Sequence, residues 1–319
     1  MSFAILAGVV SAAFWGILYI FPLLLPEYSS FQTGIGRCCV TGLFSILLVF
    51  YFRDEIRRLT RSDWMIALRL ALIGCLLNFM AQLYCSDFSG ASIAGLSTGI
   101  IPVILTLYSN ERDRKLGRWS VPLKPLIAPT LLIFFGFALC NYSEFVTNPM
   151  SSSPLKFIIG VALGLLHTII WTWYPIANAD WIKANPQINV LAWTSLIFAL
   201  LFPFSVVLYL FGFSGILSGL EYSLLGPTPW RFIAVMLVGG IVSSWGAMTL
   251  WNYMCKRVPT SLAGQMMVLE TLFAMLFGHV LQKRFPTWDL IAGTVLLVIG
   301  VSTILHLFQK YSARKKALQ

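Results

Sequence analysis

The sequence predicts an all-α membrane protein of ten transmembrane helices arranged as two inverted five-helix repeats, and three observations predict it. The first is composition: 58% of the 319 residues are hydrophobic, only 11% are charged and mean hydropathy is +0.82, whereas soluble domains carry about 25% charged residues. The second is spacing, since apolar runs of roughly 20 residues, long enough to cross about 30 Å of hydrocarbon, succeed one another along the chain. The third is an internal echo. LIAPTLLIFFG at 126–136 returns as LIAGTVLLVIG at 290–300 with six identities in eleven positions, and SIAG at 92–95 returns as SLAG at 261–264.

The runs place spans at 3–24, 31–52, 64–85, 90–109, 125–143, 156–179, 187–211, 230–254, 260–280 and 287–308, which leaves no room for a soluble domain. Span 1 lacks a basic leading region and a small-residue cleavage site, so it is expected to be retained. The net charge of +10 does not point to nucleic acid, because the basic residues gather in alternate loops, as membrane topology requires. Arg53, Arg57, Arg58 and Arg61 lie between spans 2 and 3, and Arg112, Arg114, Lys115, Arg118 and Lys124 between spans 4 and 5. Lys256 and Arg257 follow span 8, and Lys310, Arg314, Lys315 and Lys316 close the chain. All fall on one side if both termini are cytoplasmic. The opposite loops PEYSS, SDFSG, EFVTNPMSSSPL and GFSGILSGLEYSLLGPTP contain no Lys or Arg, and only Lys283 and Arg284 dissent. The six cysteines, Cys38, Cys39, Cys75, Cys85, Cys140 and Cys255, sit in or beside apolar spans without metal-site spacing and read as small packing residues.

The two echoes are offset by 164 residues (126 to 290) and 169 residues (92 to 261), and the longer basic loop NERDRKLGRWSVPLK, opposite LQKRFPTW, absorbs the difference. Span 4 therefore corresponds to span 9 and span 5 to span 10. Residues 1–124 with 125–146 form the first repeat and 147–319 the second. Five crossings per copy is odd, so the second copy inserts upside down.

Across essentially its whole length the chain resembles the EamA-type branch of the drug/metabolite transporter superfamily. The residues that carry the resemblance are Trp15-Gly16 in span 1, Arg37 in span 2, Pro102 in IIPVIL followed by Glu111, Trp171 in span 6, Leu269-Glu270 in VLETLFAML, and Gly293 and Gly300 in span 10. The family pattern commonly has proline where this chain has Thr271, so span 9 is expected to lack the kink that Pro102 gives span 4. The resemblance implies a secondary transporter that exports a small organic solute by alternating access around a midplane cavity.

Ionisable residues in hydrocarbon cost roughly 2.5–3.5 kcal/mol at a helix centre, so each needs a reason. Glu270, near the middle of span 9 with no basic residue in that span, is the first candidate; a carboxyl in hydrocarbon holds its proton part of the time, which suits proton coupling or cation binding. Asn78 and Gln82 stand at i and i+4 in span 3 and must face the protein interior or a cavity. His167, Trp171 and Tyr174 form one stripe in span 6, and a local break is expected at Tyr174-Pro175. Trp245, Thr249 and Asn252 line span 8 beneath GGIVSSWG, Gln265 precedes Glu270, and Trp15 and Tyr19 make an i, i+4 pair in span 1. The substrate-binding candidates are thus Trp15, Tyr19, Asn78, Gln82, His167, Trp171, Trp245, Asn252, Gln265 and Glu270. Arg37 reads as a structural or snorkelling residue and His279 as interfacial.

No H-E-x-x-H, G-x-S-x-G, Walker or dinucleotide loop occurs, which argues against an enzyme and against ATP-driven transport. No cofactor or metal is expected. The expected partners are a small-molecule substrate (an amino acid, a nucleoside or a drug-like metabolite), the lipid bilayer, and protons as coupling ion. The expected location is a plasma membrane, the inner membrane of a bacterium. An importer or exchanger, a membrane-embedded enzyme and a non-transporting receptor are the alternatives the sequence leaves open.

Overall fold

In hydrocarbon each backbone N–H and C=O must be satisfied within the chain, which makes helices the local solution for every apolar run here. The computed structural model describes residues 2–117, 120–140, 142, 153–213, 224–283 and 285–317. Among these, ten helices are long and apolar enough to cross a membrane: Phe3–Leu24, Ser30–Tyr51, Arg61–Ser89, Ile93–Lys115, Leu123–Cys140, Pro154–Ala184, Val190–Gly212, Pro229–Cys255, Thr260–Gln282 and Trp288–Phe308. They are spans 1 to 10, each where the sequence places it. Span 3 starts earlier than its apolar run because Thr60 and Asp63 form a capping box, each side chain bonding the other's backbone N–H. All six cysteines are free thiols. Residues 143–152 and 214–223 of the two long Lys/Arg-free loops, together with Arg118 and Arg284, lie outside the described residues, as do the side chains of Arg314, Lys315 and Lys316.

The helices gather into two compact units that cut across the sequence halves. One comprises Met1–Met80, Asn178–Arg257 and Phe273–Gln282; the other comprises Ala81–Ala177, Val258–Leu272 and Lys283–Gln319. In the first unit, span 2 packs on span 7: a Cβ at Gly36 would lie 3.5 Å from the Tyr209 ring, and one at Gly42 would lie 2.6 Å from Phe202 Cβ. Residue numbers rise along one helix as they fall along the other, so the pair is antiparallel. In the second unit, span 5 packs on span 10 with the same sense, Gly136 against Gly293 and Gly300 against Pro129. Spans 4 and 9 do likewise, with Thr106 Oγ1 donating to Ser261 O at 3.2 Å and Gln265 Nε2 to Pro102 O at 3.3 Å. Each pair joins spans five apart in chain order, and their antiparallel packing is consistent with inverted copies.

Further features that recur between the two halves were invisible in the sequence. Span 3 winds as a π-helix over Leu70–Leu77 and span 8 over Val238–Gly246, an offset of 168 residues that falls between the two echo offsets. Span 4 breaks at Ile100, between Ala91–Gly99 and Ile101–Lys115. Span 9 breaks at Met267, between Thr260–Met266 and Val268–Gln282. The expectation that only the proline-bearing copy is interrupted is therefore corrected. At Met267 the backbone tightens to i→i−3 bonding, Met267 N to Gly264 O at 3.3 Å and Glu270 N to Met267 O at 3.1 Å, and a helix can be interrupted this way without proline. The reverse correction applies to Tyr174-Pro175: Pro175 lies inside a helix that runs unbroken from Pro154 to Ala184.

Where spans 1 and 2 join, Tyr28 stacks on Phe232 at 4.8 Å and its hydroxyl donates to Leu225 O. Beside it Thr228 Oγ1 donates to Glu27 at 2.6 Å, and that bond, with Arg231 nearby, holds the Glu27 carboxyl below the usual 4.5. A carboxyl whose folded-state value is depressed adds stability above its unfolded value and loses it as pH falls through the folded one. Glu27→Gln is therefore expected to lower Tm at pH 7, and a pH series of thermal melts should show the gap from wild type closing below pH 4.5. In the second unit a Cβ at Gly136 would lie 2.8 Å from Gly293 O, a backbone atom with no room to retreat. Gly136→Val should cost about 1–3 kcal/mol as overpacking, read as a lowered melting temperature in detergent.

Candidate functional site

The expected site residues divide between the two units. Trp15, Tyr19, Asn78, Trp245 and Asn252 lie in the first; Gln82, His167, Trp171, Gln265 and Glu270 lie in the second.

In the first unit a buried polar chain ties span 6 to spans 7 and 8. Trp193 Nε1 donates to Asn178 Oδ1 at 2.8 Å, Asn178 Nδ2 to Asn252 Oδ1 at 2.7 Å, and Asn252 Nδ2 to Thr194 Oγ1 at 2.9 Å. Thr194 returns its proton to Val190 O at 2.7 Å. Both ends of the Asn252 amide are thus engaged. Trp193 also stacks on Trp181, whose Nε1 donates to Asp63 Oδ1 at 2.8 Å, so the chain reaches the cap of span 3. Trp245 donates to Ser195 Oγ at 3.0 Å and meets Phe44 edge-on. Trp15 is buried 5.3 Å from Trp251. Tyr19 is 47% exposed and does not share Trp15's environment, because the helix tightens to a 3-10 turn over Ile17–Ile20 and three residues per turn rotate Tyr19 away from it.

Asn78 is different. It is 6% exposed and, among the described residues, its Oδ1 has no hydrogen-bond partner, so a buried amide immediately after a π-helical segment keeps spare accepting capacity. For Arg37, read as structural or snorkelling, the contacts fit the structural reading: Nη1 donates to Ser244 Oγ at 2.8 Å and the guanidinium lies 5.8 Å from the Phe79 ring centre. A hydrogen bond from a charged donor is worth about 1.5–3 kcal/mol against roughly 2.5–3.5 kcal/mol for a charge at a helix centre. One hydroxyl therefore offsets that cost only in part.

In the second unit Gln82 and His167 meet on Thr98. Gln82 Nε2 donates to Thr98 Oγ1 at 3.2 Å, and His167 Nε2 lies 3.3 Å from the same oxygen. The Thr98 hydroxyl donates its single proton to Ala94 O at 3.0 Å, so it can only accept from the imidazole. With that proton so placed, a neutral His167 imidazole would carry its own proton on Nε2. Trp171, one turn on, is half-buried and stacks on Tyr174 at 5.2 Å and 11°. Gln265 is fully buried just before the break in span 9; its Nε2 is bonded to Thr106 Oγ1 and Pro102 O while, among the described residues, its Oε1 has no partner. Glu270 is half-buried in the first turn after that break.

Sequence reasoning missed Thr98, Asn178 and Thr194, the junctions of these chains. Asn178 was findable, an amide inside an expected span and subject to the rule applied to Asn78. Thr98 and Thr194 were not, because threonine in a helix satisfies itself on its own i−4 carbonyl and carries no outward signal.

A model of the EamA-like transporter family matches residues 2–112 and 158–306. The chain is 29% identical over 306 residues to "Inner membrane protein YtfF" of Escherichia coli (strain K12), covering 94% of this chain and 92% of that one. A crystal structure 18% identical in sequence superposes with a TM-score of 0.75 over 97% of this chain and 99% of the other, a likeness of fold.

Two of the buried asparagines of the first unit, Asn178 and Asn78, should respond oppositely. Asn178→Ala leaves the Trp193 indole N–H and the Asn252 carbonyl without partners, at about 1–3 kcal/mol for each group stranded, and should lower Tm clearly. Asn78→Leu strands nothing and should leave Tm unchanged or raised while weakening solute-dependent stabilisation. Differential scanning fluorimetry of the two variants measures both effects.

Proposed function

Because the chain belongs to the EamA-like transporter family, we propose that it is a secondary-active carrier, not an enzyme, that exports a small organic solute (an amino acid, a nucleoside or a drug-like metabolite) by alternating access, coupled to protons through Glu270. The observation that carries this reading is the pair of helix breaks at Ile100 and Met267, with buried Gln265 before the second and Glu270 just after it. Broken membrane helices expose backbone and helix ends where substrates and coupling ions bind. Glu270 sits in the first turn of Val268–Gln282, where the positive end of the helix dipole favours the ionised carboxylate and hydrocarbon favours the neutral acid. A carboxyl at such a helix end suits a coupling role. We further read residues 1–146 and 147–319 as the two repeats, both termini as cytoplasmic, and the location as a bacterial inner membrane, the last supported by the inner-membrane relative of Escherichia coli. The remaining candidates, His167, Gln82, Trp171, Asn78, Trp15, Tyr19, Trp245 and Asn252, are assigned to the solute pathway or its walls.

Energy suffices for this role. One charge crossing about 100 mV releases roughly 2.3 kcal/mol, which at about 1.4 kcal/mol per decade sustains a ratio of roughly fifty for a neutral solute. In proteoliposomes with an imposed pH gradient, Glu270→Gln is expected to abolish gradient-driven accumulation while exchange of solute down its own gradient persists. Unchanged coupling in that variant would remove Glu270 from the mechanism, and flux in the opposite direction would identify an importer.

A further inference from the structure

We propose that Arg37 is the recognition group for an anionic oxygen, a carboxylate or phosphate carried by the solute. This rests on the carrier reading above and narrows its substrate to an acid or a zwitterion. Arg37 is the eighth residue of Ser30–Tyr51. In the first unit, spans 2 and 8 run parallel: Tyr28 contacts Thr228, Gly36 faces Met236, and Thr41 Oγ1 donates to Gly240 O at 3.1 Å. The nearer end of both helices is thus the Ser30 and Pro229 end, and side chains on a helix lean toward its N-terminus. A snorkelling Arg37 would follow that lean toward the headgroups. It does the opposite, running past Gly239, where a Cβ would lie 3.4 Å from Arg37 Cδ, to reach Ser244, the sixteenth of the 27 residues of Pro229–Cys255. The guanidinium is delivered to the middle stretch of span 8.

At that depth it has little to neutralise it. Among the described residues Arg37 is in no ion pair. Its one hydrogen bond is to Ser244, whose own hydroxyl proton goes to Gly239 O at 2.8 Å within the π-helical segment. The π turn therefore presents Ser244 as an acceptor aimed at one N–H of the fork. With Phe79 near the guanidinium, the remaining N–H groups are available at the edge, the geometry that grips a carboxylate or phosphate through two parallel bonds. Arginine bracing a membrane fold is ordinarily matched by a carboxylate or a set of carbonyls. Here the protein supplies one hydroxyl and leaves the counter-charge to a ligand.

The test uses the full-length protein in detergent and matched pairs that differ only in the anion: benzoate against benzyl alcohol, L-phenylalanine against its amide, inorganic phosphate against chloride. At least one anionic member is expected to raise Tm selectively in wild type. Arg37→Lys, which keeps the charge and loses the planar fork, should weaken that stabilisation on the order of tenfold in half-maximal concentration, and Arg37→Gln should abolish it. Selectivity absent from wild type, or retained in both variants, overturns the proposal. So does stabilisation confined to nanodiscs of phosphatidylglycerol over phosphatidylcholine, which would make the ligand a lipid headgroup. Missing flux beside intact anion-selective stabilisation would sink the carrier reading and leave this site standing.

Discussion

Hydrocarbon offers no hydrogen-bond partner, and that single constraint organises this chain. It forces the backbone into helices, it forces polar side chains to find one another, and it makes any polar group left over conspicuous. The helices then need a way to attract one another without a hydrophobic drive, since lipid is as apolar as leucine. Close approach at small residues supplies it. Gly42 against Phe202 in one unit and Gly136 against Gly293 in the other are contacts at which a single added carbon would collide. Dispersion across such surfaces, summed over the equivalent pairs 2 with 7, 4 with 9 and 5 with 10, holds each unit together.

Much of this was legible in the primary structure because the membrane reads composition bluntly. Twenty apolar residues bounded by polar caps have one outcome, so ten spans and nearly all their ends followed from hydropathy, and the echo of LIAPTLLIFFG in LIAGTVLLVIG located two helices that pack on each other. What escaped shares a physical cause. Whether a helix takes a π turn, tightens at Met267 or absorbs Pro175 depends on fractions of a hydrogen bond traded against tertiary packing, and no residue type encodes that balance alone. Proline was over-read for the same reason: Pro102 sits beside a break that its proline-free counterpart also has, while Pro175 makes none.

The candidate site was legible in a coarser sense. Every amide and imidazole singled out from its apolar surroundings is buried or half-buried, as the cost of exposing it to lipid demands. Sequence could not say which of them are saturated. Asn252 and Asn78 look alike in a helical projection, yet one is closed on both sides by Asn178 and Thr194 and the other has an unpartnered carbonyl. The distinction arises from what the neighbouring helix presents, which is tertiary information.

Saturation also separates two kinds of work. A polar chain in which each donor and acceptor is matched, such as Trp193, Asn178, Asn252 and Thr194, gains nothing by moving and loses a great deal if it opens, because every bond broken in hydrocarbon strands two groups. Such a chain belongs in parts of a carrier that stay rigid through a cycle. Groups with spare capacity have the opposite character: among the described residues the Asn78 and Gln265 carbonyls have no hydrogen-bond partner and Arg37 bonds one hydroxyl, so a ligand that completed them would be favoured. Binding a solute that completes them relieves a cost already incurred in folding, and the same relief is what a second conformation could offer. A protein that must release its solute on the other side needs such groups to be incompletely satisfied by the fold, since a site matched by the protein itself would have no reason to bind anything.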